Sequence, residues 1–364
     1  MKFRGQSCVA LLLIVILAST VLAQKLAEKD PRTSQITSLL SPEAELTGAG
    51  GPVNSVENVS TSAHEERRSP SVESAQNLFR AGVVSSGAGH YKDALTSLEA
   101  ARQLAPNSSA VYTELGYAYF CLAEYENSIK AYKRALSLGS NSVATRRTLG
   151  IAYLRLRKPE QAILSLQEAT RQEPENAINH YLLAVAYDDA DQLDNATDQF
   201  LRSLALDPNQ YRSYFGLAGI YATQSRNEDA IGLLKKAIQL KPDFAEGHLA
   251  LANTLSSTGK YKDAIHHYDS AIKLNPQNSV ALNNQGVTYL RMGKSKEGLA
   301  AFQSAVALDP QAGEIHVNLV RAYLFAKNKD AALAEYGVLK TIDSALAATV
   351  YSEIFQSRIL KVRE

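Results

Sequence analysis

From Ala75 to Leu346 the apolar and small positions of the chain recur every 34 residues, without an insertion or a deletion. A period of this length marks a stacked supersecondary unit rather than a set of separate compact domains. Proline sets the register. Pro106, Pro174, Pro208, Pro242, Pro276 and Pro310 share one position, with Ser140 and Ser344 standing where proline is missing. Twelve residues before it sits a small side chain in every unit: Ala94, Ser128, Ala162, Ala196, Ala230, Ala264, Gly298 and Ala332. Five before it come Ala101, Ala135, Ala169, Ser203, Ala237, Ala271, Ala305 and an exception, Leu339. Twenty-four before it come Gly82, Gly116, Gly150, Ala184, Ala218, Ala252, Gly286 and a second exception, Val320. Large residues interleave with them: Tyr119, Tyr153, Tyr187, Tyr221, Tyr289 and Tyr323, then Leu98, Tyr132, Leu166, Phe200, Leu234, Tyr268, Phe302 and Tyr336.

Small side chains at fixed places on two helices let their backbones approach, and the large ones fill the remaining gap. Proline ends the second helix and opens the next pair, because it lacks the N–H that a helix interior needs and restricts the residue before it. The pattern therefore predicts eight helical hairpins, at 75–108, 109–142, 143–176, 177–210, 211–244, 245–278, 279–312 and 313–346. Beyond them Ala347, Val350, Tyr351, Ile354, Phe355 and Ile359 recur at helical spacing, opposite Ser352, Glu353, Gln356 and Arg358. This predicts a capping helix in 347–364 that covers the open end of the core.

Numbered within each unit, a small residue stands at position 8, Tyr at 11, Ala at 20, an aromatic or Leu at 24, Ala at 27 and Pro at 32. This set closely resembles the tetratricopeptide repeat, most specifically in Leu282-Asn283-Asn284-Gln285-Gly286-Val287-Thr288-Tyr289-Leu290. The first unit departs at Ser85, where Tyr is expected, and the last at Val320, Leu339 and Ser344, as terminal units often do. The resemblance implies an all-α fold, a right-handed superhelical solenoid of antiparallel helix pairs with a C-terminal capping helix. It also implies a non-catalytic part in protein binding.

The N-terminal quarter follows other rules. Residues 1–23 join a basic start (Lys2, Arg4) to an apolar stretch from Val9 through Ala18, and Val21 and Ala23 suit a signal peptidase. This is the three-part pattern of a secretory signal peptide, with cleavage expected between Ala23 and Gln24. The alternative is a retained membrane anchor, but even from Cys8 to Ala23 the stretch is shorter than the roughly 20 residues needed to span a bilayer. Membrane contact is expected only if the leader stays. Residues 24–74 contain no Phe, Tyr or Trp, are rich in Ser, Thr, Pro and Glu, and carry Gly48-Ala49-Gly50-Gly51-Pro52. Such a segment buries too little apolar surface to offset its ordering entropy and is expected to be a disordered linker.

Charge and candidate chemistry narrow the function. Lys plus Arg number 38 against 37 Asp plus Glu, and loss of Lys2 and Arg4 with the leader leaves 36 against 37. Nucleic-acid binders need clustered cations to neutralise phosphates, so a nucleic-acid partner is not expected. Cys121 is the only cysteine beyond the leader, which excludes an intramolecular disulfide in the mature chain. His180, His248 and His316 all occupy position 4 of alternate units, roughly 20 Å apart on helix spacings of 8–10 Å, too far to share a metal. His266 and His267 are adjacent on one helix and diverge. No metal, no cofactor and no enzymatic activity are expected, since the chain holds no G-x-S-x-G, H-E-x-x-H or G-x-x-x-x-G-K-[ST] motif. Asn58-Val59-Ser60, Asn107-Ser108-Ser109 and Asn195-Ala196-Thr197 are glycosylation sequons that matter only in a eukaryotic secretory route.

In proteins built of this repeat the first helix of each hairpin lines a concave groove, through positions 2, 5, 6, 9, 12 and 13. Carried over by position, this implies a peptide-binding groove of Phe79, Tyr117, Phe120, Ile151, Tyr181 and Phe215, with Leu154 and Val185. Arg147, Arg155, Arg212, Arg291 and Arg321 add cations, and Asn253, Asn283, Asn284 and Asn318 line the later units, where amides can pair with an extended backbone. A Lys at position 5, which one subclass uses to grip C-terminal carboxylates, is absent from all eight units. The function expected is a scaffold or adaptor that binds a protein or peptide of unspecified identity, in the periplasm or outside the cell. Two alternatives stand beside it: an accessory subunit of a cell-envelope secretion, pilus or polysaccharide-export machine, or the regulatory repeat arm of a glycosyltransferase system.

Overall fold

The structure, a computed structural model, describes the backbone of residues 70–362 and the side chains of residues 72–355. The expected signal peptide and nearly all of the expected linker lie outside the described residues. Among the described residues there are seventeen α-helices and no strand. They are α1 (Pro70–Gly87), α2 (Tyr91–Leu104), α3 (Ser109–Cys121), α4 (Tyr125–Ser137), α5 (Val143–Arg155), α6 (Pro159–Gln172), α7 (Ala177–Asp189), α8 (Leu193–Leu206) and α9 (Tyr211–Thr223). The remainder are α10 (Asn227–Leu240), α11 (Ala245–Ser257), α12 (Tyr261–Leu274), α13 (Ser279–Arg291), α14 (Ser295–Leu308), α15 (Gly313–Phe325), α16 (Lys329–Ile342) and α17 (Ser344–Val362).

The helices form two compact units that divide between Ile220 and Tyr221. In the N-terminal unit the hairpins α1–α2, α3–α4, α5–α6 and α7–α8 each pack within themselves, and the second helix of each of the first three packs on the first helix of the next. First helices also touch along their row, α1 to α3, α3 to α5 and α5 to α7. The C-terminal unit repeats the scheme with α11–α12, α13–α14 and α15–α16, the row of first helices running α11, α13, α15 and ending on α17.

Position 8 shows why the small residues are needed. A Cβ added at Gly116 would lie 2.7 Å from the Tyr132 ring, at Gly150 2.5 Å from Leu166 Cγ, and at Gly286 2.8 Å from Phe302. In these glycine-bearing units the large residue at position 24 thus occupies the space that a side chain at position 8 would take; Leu98, Tyr132, Leu166 and Phe302 are all fully buried there. First helices begin at position 34 of the unit before, where Ser108, Ser142, Asn176 and Asn278 accept hydrogen bonds from the backbone N–H of Val111, Thr145, Ile178 and Ala281. In the second unit, where Ser140 replaces proline, Gly139 ends the helix instead with φ of 91°.

Three boundaries or faces differ from the sequence expectation. Helix α1 starts at Pro70, inside the stretch assigned to the linker, because proline at the first helical position costs no hydrogen bond. The capping helix starts at Ser344, where Asp343 Oδ1 accepts from the N–H of Ala345 and Leu346. Ala347, Val350 and Ile354 of the cap are buried against Val317, Val320 and Leu339, so the two oversized residues of the last unit fill space that the cap closes. Tyr351, assigned to the buried face, is half exposed, while Glu353, assigned to the polar face, is tucked against Arg321.

Candidate functional site

The row of first helices in each unit carries the residues assigned to the groove, but their degree of closure varies. In the N-terminal unit Phe79 is half-buried against the core, and Tyr117 is half-buried with its ring set edge-on to Tyr91 at 6.2 Å. Burial raises the Tyr117 phenol, with Cys121 next in influence, and burial likewise raises the half-buried Cys121 thiol, which is thereby kept from ready nucleophilic use. Phe120 is buried and meets Tyr125 edge-on at 5.6 Å. Ile151, Tyr181 and Phe215 are only 1%, 3% and 2% exposed, and Tyr181 contacts the Phe200 ring at 6.3 Å. Their truncation therefore tests stability before it tests binding.

The cations are held rather than loose. Arg147 is 5% exposed; its Nη1 donates to Asn179 Oδ1 at 3.2 Å and lies 4.0 Å from Glu173, while burial pulls the guanidinium below its ordinary range. Arg212 is buried, with Nε donating to the Tyr211 hydroxyl at 2.9 Å. Arg155 and Arg291 are half-buried, and Arg291 Nη1 donates to the Ser256 carbonyl at 3.4 Å. Arg321 makes a bidentate pair with Glu353 at 3.0 to 3.3 Å. Glu114, at position 6 of the second unit, is buried, and desolvation raises its carboxyl.

The asparagines come together. In the C-terminal unit Tyr268 Oη donates to Asn253 Oδ1 at 2.7 Å, and Asn284 Nδ2 donates to the same oxygen at 3.1 Å. Asn283 Nδ2 donates to Asn284 Oδ1 at 3.2 Å, and Asn318 Nδ2 to Asn283 Oδ1 at 2.9 Å. The result is a chain of amides running across α11, α13 and α15. Asn253, Asn283 and Asn284 are half-buried, so the chain reaches solvent.

The three position-4 histidines do not converge, but each makes the same bridge. His180, His248 and His316 donate from Nε2 to the carbonyls of Pro174, Pro242 and Pro310 at 2.9, 3.1 and 3.1 Å. Each Nδ1 meets position 23 of its own second helix: the Gln199 amide at 2.7 Å, His267 Nδ1 at 3.1 Å, and the Glu335 carboxylate. Comparing positions 4 and 23 along the period would have found these pairs; comparing histidines only with one another did not. Among the described residues no group of three or more His, Cys, Asp or Glu is placed to hold a metal ion, and no helix is long and apolar enough to cross a membrane.

A family model described as Tetratricopeptide repeat matches residues 79–143, 147–211, 187–243, 249–312 and 283–345. The chain belongs to the tetratricopeptide repeat family. Its fold is shared with a tetratricopeptide repeat protein from Parabacteroides merdae, at 17% identity and a TM-score of 0.56 over 69% of this chain and 99% of that one. PilF of Pseudomonas aeruginosa aligns at 17% identity and a TM-score of 0.50 over 57% of this chain and 94% of its own. YrrB, described as a TPR protein with an unusual peptide-binding site, aligns at 21% identity and a TM-score of 0.45 over 51% and 96%. At these identities the likeness is one of fold. No curated protein matches the chain by sequence. Tetratricopeptide repeat proteins are in general non-catalytic scaffolds for protein–protein interaction, and this chain carries their fold.

Proposed function

We propose that this tetratricopeptide repeat protein is a non-catalytic scaffold that holds an extended peptide segment of another protein along its first helices, outside the cytoplasm. The observation that carries the binding mode is the amide chain Asn253–Asn284–Asn283–Asn318. Each amide offers two donor hydrogens and two acceptor lone pairs, more than its neighbours consume. Side chains already fixed by one another present the remainder at low entropic cost, and a peptide backbone is the ligand with matching donors and acceptors along its length. The location rests on the three-part pattern of residues 1–23.

The test is selection of a random peptide library on the wild-type protein and on the double variant Asn253→Ala/Asn284→Ala, with the urea midpoint measured beside it because Asn253 also accepts from the buried Tyr268 hydroxyl. Peptides enriched by the wild type are expected to bind the variant about tenfold more weakly or worse at unchanged helical content. Equal affinity for both proteins removes the amide chain from the binding surface.

A further inference from the structure

We infer that His248 and His267 form a binding site for a divalent transition-metal cation of the class that imidazole prefers, such as Zn²⁺, in the C-terminal unit. His248 lies on α11 and His267 on α12, so the site is made by the packing of one hairpin and not by neighbours in sequence. Their Nδ1 atoms are 3.1 Å apart, and two nitrogens bound tetrahedrally at about 2.0–2.1 Å from one Zn²⁺ lie about 3.3–3.4 Å apart. The separation is thus nearly that of a chelate, but in the N–H···N bridge the two nitrogens point at one another, so on binding both rings must also turn until their lone pairs converge on the cation.

The tautomers favour the same conclusion. A carbonyl only accepts, so the contact with Pro242 O places a proton on His248 Nε2 and leaves the Nδ1 lone pair of the neutral ring aimed at His267. This is how metal-bound imidazoles are usually held, with the far nitrogen donating to a backbone carbonyl. On binding, the hydrogen between the two Nδ1 atoms leaves, His267 takes its proton at Nε2, and the cation occupies the gap. His248 is 8% exposed and His267 half-buried, so one ligand is anchored in the hairpin and the other borders solvent, from which water would complete the coordination. Asp263, one turn before His267 on α12, favours a cation there; Lys235 and His266 oppose it.

The other two bridges supply built-in comparisons. Position 23 carries Gln199 opposite His180 and Glu335 opposite His316, so only the bridge of the sixth unit offers two imidazoles among the three. His267→Gln reproduces the His180–Gln199 pair and should fold. Zn²⁺ would be titrated calorimetrically into the full chain, with the histidine side-chain resonances followed by nitrogen NMR. One saturable site is expected, shifting His248 and His267 before His180 and His316. His267→Gln and His248→Gln should each weaken it about tenfold or more, and His266→Gln should leave it unchanged. Absence of saturable binding by the wild type, or binding equally strong in His267→Gln, overturns the site.

Discussion

Gly89, Ala123, Arg157, Asp191, Ser225, Gly259, Gly293 and Lys327 share position 15, the turn between the two helices of each hairpin, and all have φ between 55° and 79°. The left-handed region costs a side chain roughly 1–2 kcal/mol through the contact of Cβ with the backbone, and glycine escapes it. Five of the eight units therefore carry a side chain where the turn prefers none. Ser225→Gly and Lys327→Gly are each expected to raise the unfolding free energy by about 0.5–1 kcal/mol, and Gly259→Ala to lower it by about 1 kcal/mol. Urea denaturation checks the signs, and a loss of stability in both glycine variants would refute the argument. His267 makes a second prediction at this scale. Its folded pKa is held near 4, against an ordinary 6.5. Between these values the unfolded chain binds more protons, so this contribution is fully present above about pH 6.5 and is lost as pH falls towards 4. The ring is half-buried, so after screening the effect is about 1 kcal/mol. With chelator present, the urea midpoint of the wild type should fall from pH 7 to pH 5 by more than that of His267→Gln; equal shifts would remove His267 as the cause.

Among elements, the pair Arg321–Glu353 ties α15 to α17, with side chains only 7% and 11% exposed. Removing one partner of a buried pair strands the other charge, at a cost of about 3–5 kcal/mol, whereas replacing both with apolar residues is often neutral. Glu353→Ala is expected to destabilise by about that amount, and Arg321→Met/Glu353→Leu to recover most of it; a cost below about 1 kcal/mol for Glu353→Ala would show that water already reaches the pair. The period of the sequence could not show this contact. It reported positions where residue chemistry repeats, such as Ala101 through Ala305 or the prolines, and those fixed the hairpins and their partners. Position 15 escaped because Ala, Arg, Asp, Ser and Lys share no chemistry there, only a dihedral angle. Glu353 escaped because a helical wheel ranks polarity, while a long carboxylate side chain can turn inward when a buried guanidinium faces it. Of the assigned groove, the sequence placed the asparagines on the first helices of the later units but not their hydrogen bonds to one another, since Asn253, Asn283 and Asn284 stand at positions 9, 5 and 6 and share no register. The closure of Tyr181 and Phe215 was not legible either, since position 5 fixes a helix face but not how much of it neighbours cover.

At the scale of the whole molecule, stability in such repeats is a sum of neighbour contacts, so an end is only as firm as its last interface. In the C-terminal unit that interface is α17 on α15 and α16, where Ala347, Val350 and Ile354 are 1%, 0% and 0% exposed beside Val317, Val320 and Leu339. Full burial of an aliphatic side chain is worth about 1.5–3 kcal/mol, so loss of Val350 and Ile354 alone removes several kcal/mol from that end before Arg321 is counted. Val320 and Leu339, larger than the residues other units place at their positions, would then face water in place of the cap. Deleting residues 344–364 is therefore expected to lower amide hydrogen-exchange protection in α15 and α16 by about tenfold or more. Protection in α11 and α12 should change less, and in α3 through α6 not at all. Solubility should fall with it, because the uncovered apolar face is contiguous. Equal protection of α15 with and without the cap would mean that the last hairpin is stable alone, and Val320 and Leu339 would then need another explanation.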